Sequence, residues 1–274
     1  MAVCVAIVGV GLMGASFGLA AKARGIAERI LGFDRSAAHL QTAIRLGAVD
    51  SEADLATIRR NARLTVIAVP VDSIAAIATQ LDGAEGIVTD LGSTKRAIVE
   101  QVESSCPTLP YCGSHPMAGS EVKGPTGARA DLFEGRAAIL TPTNQTDPHV
   151  VARLREIWTR LGSRVSTMSP AAHDEAVAAV SHLPHAVAAC LAGCTDPDLL
   201  PVSAGGWRDT TRVAAAGAGI WTPIFRANRT ALLDSISVFE SHLDRFKALL
   251  TADDGPGITA WLDDAKRVRD ALGR

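Results

Sequence analysis

The chain is 274 residues long, beyond the roughly 100–200 residues of a common domain, so one large domain or two modest ones is expected. Hydrophobic residues make up 47% and charged residues 20%, which excludes a disordered or low-complexity chain and allows a sizeable core. With 27 basic against 29 acidic residues, no basic run and aromatics at 4%, neither a nucleic-acid face nor a stacking platform for single strands is expected.

In chain order, Val3–Val8 reads as a strand buried on both faces, followed by a helix over Leu12–Arg24. Ile30–Phe33 is predicted as a short strand and Ser36–Leu46 as a helix with Ser36 at its N-cap. A strand over Leu64–Val69 stops at Pro70, and Asp72–Gln80 turns helical. Gly86–Thr89 is a strand ending before Asp90, and a helix is predicted over Thr94–Val102, where Ser93 and Thr94 read as ordinary N-caps. Pro110–Gly113 is a further strand, feeding the segment SHPMAGSEVKG. Ala137–Leu140 and Arg164–Thr167 are late strands flanking a helix over Pro148–Leu161. This alternation predicts an α/β fold, a Rossmann-type and mainly parallel sheet covered by helices.

After about Ser169 strand signals vanish. Ala171–Gly193, Thr222–Leu250 and Pro256–Leu272 read as long alanine- and leucine-rich helices, so 1–168 is expected as a dinucleotide-binding domain and 169–274 as an all-helical domain. Three isolated surface helices would not carry so much apolar surface, which points to a second subunit covering part of it. The uncharged first 21 residues resemble a signal peptide or span in composition, but no basic residue precedes them and glycines punctuate them. The five cysteines are an odd number without a CxxC pair. A reducing, cytoplasmic setting is expected, with Cys190 and Cys194 as small buried hydrophobes.

The chemistry starts at Gly9-Val10-Gly11-Leu12-Met13-Gly14. A buried strand precedes this GxGxxG, a helix follows, and a second strand ends in an acidic residue, Asp34, twenty positions after Gly14. Gly9 permits the turn, Gly11 lets a pyrophosphate approach the backbone, and Gly14 lets the helix pack close to the sheet; Leu12 and Met13 open that helix. The alternative is a tight turn without a ligand. A carboxylate at Asp34 accepts hydrogen bonds from ribose hydroxyls and repels a 2′-phosphate, which favours NAD over NADP. Arg35 is adjacent, and its guanidinium suits adenine stacking or a 2′-phosphate as well as it suits solvent.

His115 is expected in a strand-to-loop segment, held by the following Pro116; a lone histidine is usually structural, but a neutral imidazole next to a nicotinamide can take the proton released when C–OH becomes C=O. Glu121 follows closely enough to tune it or gate the site. In Ser181-His182-Leu183-Pro184-His185 a proline falls inside a helical pattern, predicting a kink that re-aims both histidines; no metal site is expected of them. Gly205-Gly206-Trp207-Arg208-Asp209-Thr210-Thr211-Arg212 places two arginines where they suit an anionic substrate, or, more plainly, a capped helix with surface ion pairs.

Taken in order, GVGLMG, GFDRS, DLGSTK, GSHPMAGSE, SHLPH, GWRDTTR and IWTPIFRAN resemble the prephenate/arogenate (cyclohexadienyl) dehydrogenase family of tyrosine biosynthesis. The resemblance implies oxidative decarboxylation of a 4-hydroxycyclohexadienyl carboxylate with NAD, and a homodimer formed through the helical domain. It makes His115 the catalytic histidine and Ser93 the serine linking that histidine, substrate and nicotinamide. Arg212 anchors a substrate carboxylate by the same resemblance, and His185 is a further substrate contact, with His182 beside it in the same motif. Asp209 supports the site, Glu121 is a gating carboxylate, and Trp221 is an aromatic near the domain junction. Because the chain stops at Arg274, a single-function form without the regulatory domain of some relatives or a fused chorismate mutase is expected. Prephenate, arogenate and aminated prephenate analogues all remain open as the substrate. A β-hydroxyacid or imine-type dehydrogenase would use a lysine or another acid where this chain has SHLPH. An NAD-sensing module would leave His115, Ser93 and Arg212 without a shared purpose.

Overall fold

A computed structural model describes residues 3–120, 122–271 and 273. The N-terminal half alternates strands and helices: β1 (Val3–Val8), α1 (Leu12–Ala23), β2 (Ala27–Phe33), α2 (Ala37–Arg45), β3 (Ser51–Glu52) and α3 (Leu55–Asn61). Next come β4 (Leu64–Ile67), a 3₁₀ turn (Val71–Ser73), α4 (Ile74–Gln80), β5 (Ile87–Asp90) and α5 (Arg96–Ser105). Strands β1 to β5 make one parallel sheet in the order β3-β2-β1-β4-β5, with Val5 of β1 beside Ile30 of β2 and Leu64 of β4. Reversal of strand order beside β1 opens a crevice at the carboxyl edge, where ligands of such sheets collect.

Alternation along β1 explains why the sheet is covered twice. Val5 and Ile7 join a core with Phe17, Ile26, Ile30 and Trp158, whereas Ala6 and Val8 join another with Ile58, Ile67 and Ile74. Ser36 caps α2 as expected, its hydroxyl accepting the His39 N–H at 3.2 Å. Strand β2 begins three residues before its predicted start, and the short pair β3 and α3 was not predicted at all. Glu28 and Arg29 interrupt the apolar pattern of β2 because it pairs with only a two-residue strand on its outer side.

A second, three-stranded sheet follows: β6 (Gly113–Pro116), β7 (Ala137–Thr141) and β8 (Arg164–Thr167), with α6 (Pro148–Arg160) between the last two. Strand β6 runs antiparallel to β7, and β8 is parallel to it. The expected strand over Pro110–Gly113 is displaced: Tyr111 makes only a bridge to Val88, and the strand proper begins at Gly113. Pro110 has no N–H to give a ladder, which delays strand pairing. His115 therefore lies inside a strand.

From Pro170 onward the described chain is helical: α7 (Pro170–Val177), a π-helical turn (Ala178–His182), α8 (Leu183–Gly193), α9 (Gly205–Thr211), α10 (Ala218–Ala227), α11 (Arg229–Thr251) and α12 (Gly255–Asp270). The predicted helix over Thr222–Leu250 is two helices joined at Asn228, which turns inward and is buried. Ile224 of α10 packs with Val71 and Ile74, joining the helical half to the sheet half. Within the chain α11 buries only Leu232 and α12 buries no residue, while Val180, Leu233, Val238, Leu243 and Leu250 stand exposed. Cys190 on α8 and Cys194 at its C-cap are exposed, not buried as expected, because among the described residues no element packs on that side of the helix; all five cysteines are free. The run Pro170–Gly193 is long and apolar enough to cross a bilayer, but it holds His173, Asp174, His182 and His185 buried against the rest of the chain.

Candidate active site

The glycine loop has the geometry its sequence requires. Gly9 has φ +93°, and a Cβ there would lie 2.5 Å from the Ala68 carbonyl oxygen; one on Gly14 would lie 2.0 Å from that of Gly9. Gly11 differs: a Cβ there would meet nothing within 4 Å, so the space over it is open. Helix α1 starts at Leu12 without a side-chain cap, and its first closing bond runs from Ala15 N–H to Gly11 O. The N–H groups of Leu12, Met13 and Gly14 thus have no acceptor within the helix and point at the space an anion would occupy. These features fit the pyrophosphate of a dinucleotide. Asp34 fixes the same loop: its Oδ2 accepts the Val10 N–H and its Oδ1 the Ser36 N–H, each at 2.8 Å. Arg35 is exposed beside it.

The corner after β5 is built on a buried ion pair. Asp90 and Lys95 have no exposed side-chain surface; Asp90 Oδ1 accepts from Lys95 Nζ and from the Gly92 N–H at 2.6 Å, and its Oδ2 from Tyr111 Oη at 2.6 Å. Burial and the neighbouring Asp90 raise the Tyr111 phenol well above its ordinary pKa. Ser93 sits half-buried on this corner, and the buried hydroxyl of Thr94 has no hydrogen-bond partner among the described residues. Neither caps α5, which begins later than predicted. The capping carboxylate is Asp174 of α7, whose Oδ1 accepts the Lys95 N–H at 2.7 Å and whose Oδ2 accepts the Arg96 N–H at 3.0 Å.

Strand β6 delivers His115 beside this corner. Ser114 donates its hydroxyl to the Asp90 carbonyl at 2.7 Å, and alternation along the strand sends the His115 ring the other way, toward α7. There His115 Nδ1 lies 2.8 Å from His173 Nε2, and His173 Nδ1 lies 2.7 Å from Asp174 Oδ1. Burial, with smaller contributions from the neighbouring His173, Lys95 and His182, holds His115 well below its ordinary pKa, so the ring is neutral at neutral pH.

The kink predicted at Pro184 takes the form of the π-helical turn. Proline has no N–H for the carbonyl four residues earlier and its ring crowds that carbonyl, so the helix widens just before it. His182 and His185 both end up buried, each with a specific partner. Asn228 places its Nδ2 3.1 Å from His182 Nδ1 and donates to the Asp174 carbonyl at 2.7 Å; burial pushes His182 down to about 4. His185 stacks on Trp221 with ring centroids 3.6 Å apart at 16°, and burial lowers its pKa.

The structure therefore gathers His115, His182, His185 and Trp221 around α7, α8 and α10, with Ser93 on the adjoining corner. Arg212 follows α9 directly and is exposed, as is Asp209 on α9 itself. Glu121 lies outside the described residues. His173, Asp174, Asn228, Asp90 and Lys95 were not picked out as site residues from the sequence. For His173–Asp174 the local signal is only a histidine and an aspartate in a helix opened by Ser169-Pro170, which reads as an ordinary capped helix.

Comparison with known proteins agrees with this architecture. Residues 17–167 match the family model described as prephenate dehydrogenase, nucleotide-binding domain, and residues 169–264 the one described as prephenate dehydrogenase, dimerization domain. The chain is 32% identical to the prephenate dehydrogenase of Bacillus subtilis, covering 97% of this chain and 75% of that protein. It superposes on prephenate dehydrogenase from Aquifex aeolicus, solved with hydroxyphenyl propionate and NAD+, with TM-score 0.91 and 31% identity over 99% of this chain and 98% of that one. Arogenate dehydrogenase of Synechocystis gives 0.84 and 32% identity over 98% and 99%. With both halves of the chain matched in order, the nucleotide loop formed and the fold shared along its length, the chain belongs to the prephenate dehydrogenase family of NAD-dependent oxidoreductases.

Proposed function

We propose that the chain oxidatively decarboxylates prephenate to 4-hydroxyphenylpyruvate with NAD in preference to NADP, as a cytoplasmic homodimer. The observation that carries this reading is a buried, neutral histidine, His115, held on a strand beside the nucleotide edge of the sheet and facing the helical half. When bound, NAD accepts the hydride that leaves C4 of the ring. Gly9, Gly11, Leu12, Met13 and Gly14 hold its pyrophosphate, Asp34 accepts from its ribose, and Arg35 lies alongside the adenosine end.

His115 takes the proton of the C4 hydroxyl as the hydride departs, and Ser93 orients that hydroxyl toward the imidazole. The resulting ketone draws the electron pair of the C1–carboxylate bond into the ring as CO2 leaves. The ring oxygen then recovers the proton from His115, so the reaction releases no net proton. Arg212 holds a substrate carboxylate, with Asp209 supporting it and Glu121 gating the entrance. His185, fixed by its stack on Trp221, contacts the substrate from α8, and His182 lies one helical turn away. Aromatisation and CO2 loss make the chemistry downhill, which leaves the protein to position the hydride and stabilise charge.

Division at 168/169 gives 1–168 to the cofactor and 169–274 to substrate and dimer contacts. The apolar residues that α11 leaves exposed support the homodimer, since a 23-residue helix burying only Leu232 would not be stable in water alone. Likeness to the Synechocystis arogenate dehydrogenase makes arogenate the runner-up substrate. The test measures reduction of NAD and of NADP with prephenate and with arogenate. Prephenate with NAD should give the highest kcat/KM; no reduction with either ring acid would refute the reading.

A further inference from the structure

The contacts between β6 and α7 determine which nitrogen of His115 carries its proton. Asp174 Oδ1 already accepts the Lys95 N–H and Oδ2 the Arg96 N–H, so this carboxylate faces the His173 ring as an acceptor. His173 must then donate from Nδ1, and in a neutral imidazole that leaves a lone pair on Nε2. The atom 2.8 Å from that lone pair is His115 Nδ1, which must be the protonated one. The Nε2 lone pair of His115 is left free, as a base requires. His173 is fully buried and Asp174 almost so, and the proposed reaction gives neither a part in the chemistry.

We propose that His173, anchored by Asp174, is a positioning residue that fixes His115 in the Nδ1–H tautomer and receives the positive charge when His115 accepts a proton. The inference rests on His115 being the proton acceptor of the proposed reaction. The step balances without a further reactant. The C4 hydroxyl proton goes to His115 Nε2, the Nδ1 proton of His115 passes to His173 Nε2, and His173 keeps its Nδ1–H toward Asp174. Both protons return when the ring oxygen becomes phenolate. Charge left on His115 is disfavoured by burial and by Lys95, whereas on His173 it lies against the Asp174 carboxylate. Asp174 also caps α5, so the same carboxylate ties the relay to the corner that bears Ser93.

Two measurements test this. Long-range 1H–15N NMR of [15N]histidine-labelled protein, without substrate, should show His115 and His173 both as Nδ1–H tautomers. A proton on His115 Nε2 would overturn the proposal, and this arm needs no variant to fold. Steady-state kinetics then compares His173→Leu with His173→Gln, each checked for native circular dichroism and NAD affinity. His173→Leu should lower kcat on the order of 10²-fold with KM little changed. His173→Gln, whose Oε1 can accept the His115 Nδ1–H and whose amide can donate to Asp174, should recover roughly tenfold of that loss. A folded leucine variant with unimpaired kcat, or a glutamine variant no better than leucine, would refute the role. A chain that leaves prephenate untouched yet shows both Nδ1–H tautomers would refute the substrate and support the positioning.

Discussion

Asp34 is bound to the glycine loop and is also the proposed ribose acceptor, and that doubles the expected effect of removing it. Its two carboxylate oxygens each hold a backbone N–H at 2.8 Å, Val10 within the loop and Ser36 at the start of α2. A charge-assisted hydrogen bond contributes about 1.5–3 kcal/mol, and the lower end applies because Asp34 is only part-buried and water can replace the lost acceptor. Loss of the loop anchor, about 1.5 kcal/mol, together with a similar loss of the ribose acceptor comes to about 3 kcal/mol, or on the order of 10²-fold in Kd. Asp34→Ser should therefore weaken NAD binding by that factor. Asp34→Asn, which keeps one acceptor oxygen, should weaken it roughly tenfold. NADP should gain in Asp34→Ser because the like charge is gone and Arg35 is free to meet the phosphate, but by less than NAD loses, since both cofactors need the anchored loop. Calorimetric titration of each variant with NAD and NADP measures all four quantities. A Kd for NAD unchanged in Asp34→Ser, or an unmodified protein that binds NADP more tightly than NAD, would refute the reasoning.

The other predictions concern the catalytic group, the assembly and acid. His115→Asn should lower kcat by roughly 10²–10⁴-fold with little change in KM, while Arg212→Gln should raise KM on the order of 10²-fold; both changing only KM would remove His115 as the base. An imidazole with its ordinary pKa would set the acidic limb of kcat/KM near 6.5, but burial moves it well below that value, so activity should persist into mild acid and a limb at 6.5 would contradict the site. In solution the protein should be a dimer, and a stable monomer near 28.5 kDa by light scattering at micromolar concentration would leave the exposed faces of α11 and α12 unexplained. His115, His182 and His185 all have pKa values depressed by burial, so the unfolded chain takes up protons that the native one refuses. Their contribution to stability is fully present above the unfolded value of about 6.5 and falls away as pH drops toward about 4, before the depressed carboxylates Asp50 and Asp54 titrate. Equal urea midpoints at about pH 7 and about pH 5 would refute this linkage.

Local chemistry was sufficient wherever the determinant and its effect lie within a few residues. Gly9 turns the chain with a positive φ, Gly14 sits where a Cβ would strike the Gly9 carbonyl, Ser36 caps its own helix, and Pro184 distorts the helix that contains it; each could be read from the sequence because the determinant is local. The apolar excess after Ser169 was legible for a related reason, since helical periodicity shows how much surface a helix must bury, though not what buries it. Start positions were less legible: α5 begins at Arg96 because its cap arrives from Asp174, 79 positions away from Lys95, and no local pattern encodes that. Cys190 and Cys194 looked like core residues because composition cannot say which face of α8 meets the protein. His115 was identifiable as a candidate base, but its protonation state was not. Burial, the ring of His173 and the charge of Lys95 reach it from three different segments, and only the folded chain brings them within range. Sequence proximity determined the nucleotide loop, whereas contacts between distant segments decided the charge of His115, because a side chain's electrostatics depends on everything packed around it.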